Sequence, residues 1–364
     1  MHLKSLKLLN FKNHEELEVD FSEEINCFVG ENGVGKTNLL DAIHYLCLTK
    51  SAIGKVEGQS VRHESDYYMV AGSLMKGERN YSVLCSYQKR KKVFKLNKKE
   101  YQKVSEHIGK FPAVIMLPTD TELIQEGSET RRKFFDSIIS QLDRNYLQSL
   151  IRYNHALKQR NALLKQFYEQ RFSQKDLIEP FDVVLSELAL EISTKRVEFI
   201  NQFIPVFQTH YQQLTQQKEE VSLSYSTTVS DAFLHELREN FQRDLQAQRT
   251  TQGIHKDDFE FLLESRSLKK FGSQGQQKSY VVSLKLAQFE FMYEQTNTKP
   301  ILLMDDIFDK LDDNRIAQLL KMLSADKFGQ VFITDARPER SKSLLNGLDS
   351  DIKILNISHL NASI

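Results

Sequence analysis

The chain has 364 residues, 40% of them apolar and 27% charged, which exceeds one ordinary domain and supplies a substantial core under a charged surface. Its 49 lysines and arginines balance 49 aspartates and glutamates, so a globally basic nucleic-acid binder is excluded while a local basic face is not. No apolar run approaches the roughly 18 residues that span a bilayer, there is no secretory h-region, and Cys27, Cys47 and Cys85 are too scattered for a disulfide framework or a zinc site, so a reducing cytoplasm and no membrane contact are expected.

Leu3 to Leu8 and Leu17 to Phe21 alternate apolar and polar residues, the pattern of half-buried strands. Ile25 to Val29 is an apolar run stopped by Gly30, and Lys36 to Leu48 has helical spacing through Leu39, Leu40, Ile43, Leu46 and Cys47. Residues from about 67 to 117 predict an antiparallel meander, with Tyr81, Val83 and Cys85 on one face and a basic turn beside Val93 and Leu96. From Arg131 the texture becomes long amphipathic helix: Phe135, Ile138, Ile139, Leu142, Tyr146, Leu150, Tyr153 and Leu157 follow three-four spacing. A second such stretch, Leu177 to Tyr211, follows a polar break near Ser173. Heptads are not sustained, so these predict a packed helical lobe and not a coiled coil.

Strands return at Val221, Leu223 and Tyr225, followed by a helix near Asp231 to Gln248 and a strand at Phe259 to Leu263. Ile301 to Met304 and Val331 to Ile333 are apolar strands separated by a helix at Arg315 to Leu323, a crossover unit of a parallel sheet. The expected architecture is an α/β domain split in sequence, residues 1–120 and 251–364, with a helical lobe inserted at 121–250.

Three segments carry chemistry. Gly30-Glu31-Asn32-Gly33-Val34-Gly35-Lys36-Thr37 matches G-x-x-x-x-G-K-[ST] and lies between an apolar strand and a helix that continues through Asn38. In such a loop the glycines let backbone N–H groups turn toward phosphates, to which the helix adds its positive end. Lys36 is expected to bridge β- and γ-phosphate oxygens of ATP, and the Thr37 hydroxyl to complete a Mg²⁺ shell. Ile301-Leu302-Leu303-Met304-Asp305-Asp306 is a buried strand that delivers two carboxylates at its C-terminal end, where α/β sheets bind ligands. Asp305 is expected to hold Mg²⁺ and Asp306 to polarise the attacking water. Ser273-Gln274-Gly275-Gln276-Gln277, expected to open a helix from Lys278 to Tyr293, offers a hydroxyl and backbone N–H groups as a second anion site, closing on the nucleotide of another copy.

The order of these segments, ending in Asp309-Lys310-Leu311-Asp312, resembles ABC-type ATPases of the SMC and Rad50 kind. The chain also holds Leu9-Asn10-Phe11-Lys12-Asn13, Leu117-Pro118-Thr119-Asp120, Leu123-Ile124-Gln125-Glu126-Gly127, Arg131-Arg132 and Gly253-Ile254-His255-Lys256-Asp257-Asp258. Together with Ser273 to Gln277 these segments more closely resemble the RecF family of bacterial recombination mediators, and the resemblance covers essentially the whole chain. It implies an ABC-type head with an inserted helical lobe. It also implies a homodimer formed with ATP, binding to duplex DNA near single-strand gaps or junctions, and action with RecR and RecO to place RecA. Several positions depart from the pattern. Ile254 and Lys256 replace Pro and Arg, and no glutamine stands at 119 or 120 where many ABC ATPases sense nucleotide. Asp306 replaces the usual Glu, and Thr334 and Asp335 occupy the place of a switch histidine. These departures imply slow hydrolysis, with ATP acting more as a dimer clamp than as fuel. A DNA-binding module whose ATP is purely structural, or another SMC-like ATPase, are the alternatives.

Lys89-Arg90-Lys91-Lys92, continuing through Lys95, Lys98 and Lys99, is the conspicuous basic patch, suited either to phosphate contact or to keeping a sheet edge from pairing. Arg131 and Arg132 suit structural ion pairs better than DNA contacts, and His255, Asp257 and Asp258 suit a polar turn supporting the ATPase core better than a metal site.

Overall fold

The computed structural model describes residues 1–54, 56–171, 174–216, 219–309, 312–324 and 327–357. They fall into two compact units: an α/β unit of residues 1–121, 209–217 and 274–364, and a helical unit of residues 122–208 and 218–273.

The α/β unit begins with β1 (His2–Phe11), β2 (His14–Asp20), β3 (Ile25–Val29) and α1 (Lys36–Leu48), then runs through β4 (Tyr67–Lys76), β5 (Arg79–Gln88), β6 (Lys91–Leu96), β7 (Lys99–Glu100) and β8 (Ala113–Met116). The helical unit contributes α2 (Glu122–Gln125), α3 (Ser128–Leu142), α4 (Arg144–Gln170), α5 (Lys175–Thr215), β9 (Val221–Ser226), α6 (Phe233–Glu239), α7 (Phe241–Ala247), β10 (Asp258–Leu263), β11 (Arg266–Ser267) and α8 (Leu268–Phe271), with the last residues of α5 counted in the α/β unit. The chain closes with α9 (Gln274–Thr296), β12 (Ile301–Met304), α10 (Asp313–Ser324), β13 (Val331–Asp335), α11 (Pro338–Leu345) and β14 (Ile352–Asn356).

Two sheets organise the α/β unit. One is antiparallel, ordered β2-β1-β4-β5-β6-β7, and the other parallel, ordered β14-β3-β13-β12-β8. Burial follows the sequence pattern: β1 alternates, as a strand with one solvated face does, whereas every residue of β3 and β12 is buried, as in a sheet covered on both faces. Helix α1 packs on strands of both sheets, and Leu39, Leu40, Ile43, Tyr45 and Leu46 join one core cluster with Leu6, Val70, Ile115, Leu303 and Phe332. At roughly 25 cal/mol per Å² of apolar surface, each such side chain contributes about 2 kcal/mol to holding the helix between the sheets.

Four expectations need correction. The meander ends at β7, because Ala113–Met116 pairs in parallel with β12 and forms an edge of the other sheet. The first long helix is two helices, since the Asp143 side chain accepts from the N–H groups of Asn145 and Tyr146 and caps a new one. Helix α9 starts at Gln274, so Gly275 to Gln277 form its first turn. Residues 251–273 group with the helical unit, where β9, β10 and β11 make their own antiparallel sheet, so the lobe does not end at 250. The expected break at Ser173 lies outside the described residues.

The helical unit is centred on aromatic packing, with Phe135 against Phe199, Phe203 and Phe259 at ring distances of 6.1, 6.0 and 4.4 Å. Two buried arginines fasten it. Arg160 bonds Asp182, Asp244 and Thr250, and Arg196 bonds Asp136, Asp257 and the Ile254 carbonyl.

Candidate nucleotide site

The loop between β3 and α1 has the backbone its sequence requires. Gly30, Gly33 and Gly35 take φ of 151°, 88° and 105°, values that disfavour side chains. Gly35 is constrained twice over, because a Cβ there would lie 2.5 Å from the Asn13 amide and 2.7 Å from the His14 ring. Helix α1 starts at Lys36 with no side chain capping its first turn, which leaves that end suited to an anion. Glu31, Asn32 and Gly33 are exposed, Val34 is half-buried, and the Asn38 side-chain amide donates to the Asn13 Oδ1 at 2.6 Å.

Lys36 is buried, and its ammonium folds back over the loop to donate to the carbonyls of Gly30 at 2.8 Å and Glu31 at 3.0 Å. The Thr37 hydroxyl lies 2.9 Å from both carboxylate oxygens of Asp305, a contact between residues 268 apart in sequence. The fold therefore brings the two expected Mg²⁺ residues together at the C-terminal ends of β3 and β12, which are separated in the sheet only by β13. Burial raises the Asp305 carboxyl pKa above its ordinary value, and hydrogen bonds from Thr334 and Thr37 and the charge of Lys36 oppose that rise. Two hydroxyls and a buried carboxylate form a hard oxygen set, which fits Mg²⁺.

Asp306 sits next in the chain in the left-handed region, φ 44°, and its backbone N–H donates to the Thr334 hydroxyl at 2.9 Å. The same hydroxyl donates to Asp305 at 2.7 Å. Thr334 thus bridges both acids from the neighbouring strand β13, a role that its sequence signal, a threonine where a histidine was sought, does not disclose.

Beside Asp305 lies a cleft of about 170 Å³ lined by Leu117, Pro118, Asp120, Lys278 and Ile307, among others. Asp120, in the place of a sensing glutamine, is fixed by the Leu117 N–H at 2.7 Å and by Lys285 at 3.2 Å. Of the second anion segment, Ser273 and Gln274 are exposed and Gly275 and Gln276 half-buried. Lys310 and Leu311 lie outside the described residues.

Other expected alternatives resolve. Arg131 makes a two-pronged pair with Asp258 at 2.8 Å, and Arg132 donates to Ser128 and the Asp257 carbonyl, so both are structural. His255 meets Tyr153 and the Thr250 carbonyl while Asp257 and Asp258 turn to Arg196 and Arg131, so the three do not converge on a metal. That turn braces the helical unit, not the ATPase core.

A family model described as an AAA ATPase domain matches residues 1–262. The DNA replication and repair protein RecF of Flavobacterium johnsoniae is 46% identical over 359 residues, which cover 98% of this chain and 100% of the relative. The chain belongs to the RecF family. RecF of Bacteroides thetaiotaomicron is 44% identical over 360 residues, with 98% of this chain and 97% of the relative covered. A solved structure of the recombination mediator RecF with ATP superposes with a TM-score of 0.88 at 29% identity, covering 98% of this chain and 95% of that one. An Smc head bound to a domain of ScpA shares the fold, with a TM-score of 0.53 at 14% identity. The protein is accordingly a RecF-family ATPase of DNA replication and repair, built on an SMC-head-like α/β fold.

Proposed function

We propose that this RecF-family ATPase uses ATP and Mg²⁺ to close two copies of itself on DNA. The contact between Thr37 and Asp305 carries the reading, because it joins the phosphate loop to the acid-tipped strand as a Mg²⁺-nucleotide site requires. Bound Mg²⁺ would neutralise charge between the β- and γ-phosphates, with Thr37 and Asp305 holding it. The loop N–H groups from Gly30 to Lys36 cradle the phosphates, and Lys36 turns from the Gly30 and Glu31 carbonyls to the phosphate oxygens. Asp306 orients the water. Ser273 and Gln274 to Gln276 of a second copy complete the site in trans, in keeping with the exposure of Ser273 and Gln274.

The departures at Asp120, Asp306 and Thr334 favour slow turnover, so the closed dimer outlives encounter with DNA. The family supports recognition of duplex next to a single-strand gap, and action with RecR and RecO in loading RecA in the cytoplasm. Ser273→Arg tests the trans site. The variant should bind ATP like the parent yet elute as a monomer with ATP and Mg²⁺, and a variant that still dimerises refutes it.

A further inference from the structure

Residues 89–110 hold nine lysines and arginines against two glutamates, in a chain whose total charge is zero. The structure lays much of this charge along one margin of the antiparallel sheet, on β6 and on the turns at its two ends. Lys89 and Arg90, with φ of 50° and 62°, form the two-residue turn between β5 and β6, and Asn97 and Lys98, with φ of 49° and 69°, form the turn into β7. Lys89, Arg90, Lys91, Lys98 and Lys99 are all exposed, and among the described residues none of them forms an ion pair.

The opposite margin is different: Lys7 pairs with Glu16 and Glu18, and Arg62 with Glu15. Charged side chains on an edge strand blunt it against pairing. Lys89 and Arg90 guard no edge, since they sit in a turn. Lys92 of the basic run points inward, donating to the Thr49 carbonyl at 2.8 Å and to Glu57. Thr49 caps the C-terminal end of α1, the helix whose other end follows the phosphate loop, so the cationic hairpin is tied to the nucleotide helix.

We infer that this margin, Lys89-Arg90-Lys91 with Lys98-Lys99, is the surface that grips the phosphate backbone of duplex DNA. The assignment rests on the DNA-binding reading of the family and adds where the contact is made. With about 3.4 Å per residue, β6 separates the two lysine turns by about 17 Å. Duplex DNA presents one charge per ~1.7 Å of axis, so the strip can lie beside about ten of them. Unpaired, exposed cations held by tight turns contact phosphates without reading bases, so the grip is independent of sequence.

The test is duplex affinity of the whole chain with ATP and Mg²⁺, read by fluorescence anisotropy across a salt series, for the parent, Lys89→Gln/Arg90→Gln/Lys91→Gln, and the control Lys4→Gln/Lys7→Gln. The triple variant should show a slope of log affinity against log salt shallower by about 2.7, and affinity near 150 mM salt lower by roughly 100-fold, while the control matches the parent. ATP affinity and melting temperature should not change, because the three side chains face solvent. Parental slope and affinity in the triple variant overturn the assignment and leave DNA binding itself standing. A parent that fails to bind duplex overturns both. Loss of ATP affinity in place of loss of duplex would make the hairpin a structural brace. Retained duplex binding with lost binding to polyglutamate would make it a docking face for an acidic protein. Either result also overturns the assignment.

Discussion

In the helical unit the buried guanidiniums of Arg160 and Arg196 each meet two carboxylates, whereas in the α/β unit the buried ammonium of Lys36 reaches two carbonyls of its own loop. An arginine between carboxylates is neutralised and has little left to offer a ligand. A lysine held by carbonyl dipoles keeps its full charge and exchanges those dipoles for an anion with a net electrostatic gain. The same burial thus serves cohesion in one unit and, on the proposed function, binding in the other. Breaking a charge in each should separate stability from affinity.

The largest effect is expected at Arg196. Arg196→Met leaves Asp136 and Asp257 without their cation and should cost about 3–5 kcal/mol in the urea unfolding of the helical unit. A loss under about 1 kcal/mol would show that the carboxylates find other partners. The counterpart is Lys36→Met, which should weaken ATP binding at least about 100-fold, close to 3 kcal/mol, with little change in melting temperature. Unchanged affinity in calorimetric titration would end the phosphate-loop assignment.

Histidines extend the contrast to acid. Burial pushes His44 and His107 of the α/β unit and His255 of the helical unit down to about 4. Each folded pKa lies below the unfolded value near 6.5, so the unfolded chain takes up protons first as pH falls. The stability these groups contribute is complete above about pH 6.5 and is lost toward pH 4, at up to about 1.4 kcal/mol per pH unit for each histidine. Burial also lowers His2, so three histidines of the α/β unit against one of the helical unit predict that hydrogen-exchange protection falls faster in β3 and α1 than in α4 between pH 6.5 and 4.5. The reverse order would mean that carboxylate pairs, not histidines, govern acid stability.

The sequence makes local features legible. The run Ile25–Val29, the glycines of the loop and the helix from Lys36 announce themselves because strand, turn and helix there are each favoured by adjacent residues. Which strand pairs with which is less readable. Ala113–Met116 is four apolar residues, and nothing in them distinguishes the end of a meander from the edge of a parallel sheet whose partner β12 begins at Ile301. The break at Asp143 is masked because the three-four spacing of Ile138, Ile139, Leu142 and Tyr146 runs across it, and only the cap reveals it. The association of residues 251–273 with the helical unit depends on Asp257 and Asp258 meeting arginines far away in sequence. For the site, residue types were readable and their company was not: Asp305 and Thr37 could be named separately, but Thr334 required the fold.

Thr334 gives the smallest and most discriminating test. Its hydroxyl donates its one proton to Asp305 and accepts from the Asp306 N–H, so it fixes one acid relative to the other. Thr334→Val keeps the shape, removes both bonds, and loosens Asp306 from its left-handed geometry, φ 44°. Because the proposed phosphate contacts lie elsewhere, in the loop and at Lys36, ATP affinity should stay within about twofold while turnover falls about tenfold, close to 1.4 kcal/mol. The Mg²⁺ concentration for half-maximal turnover should rise as well, since Asp305 loses a donor that aims its carboxylate. Thr334→Ser restores the hydroxyl and should recover most of the rate. Parental turnover in the valine variant would show that β13 positions the acids through packing, and failure of serine to recover would place the effect in the lost methyl group. Recovery by serine alone would show that one hydroxyl on β13 sets the geometry of both acids.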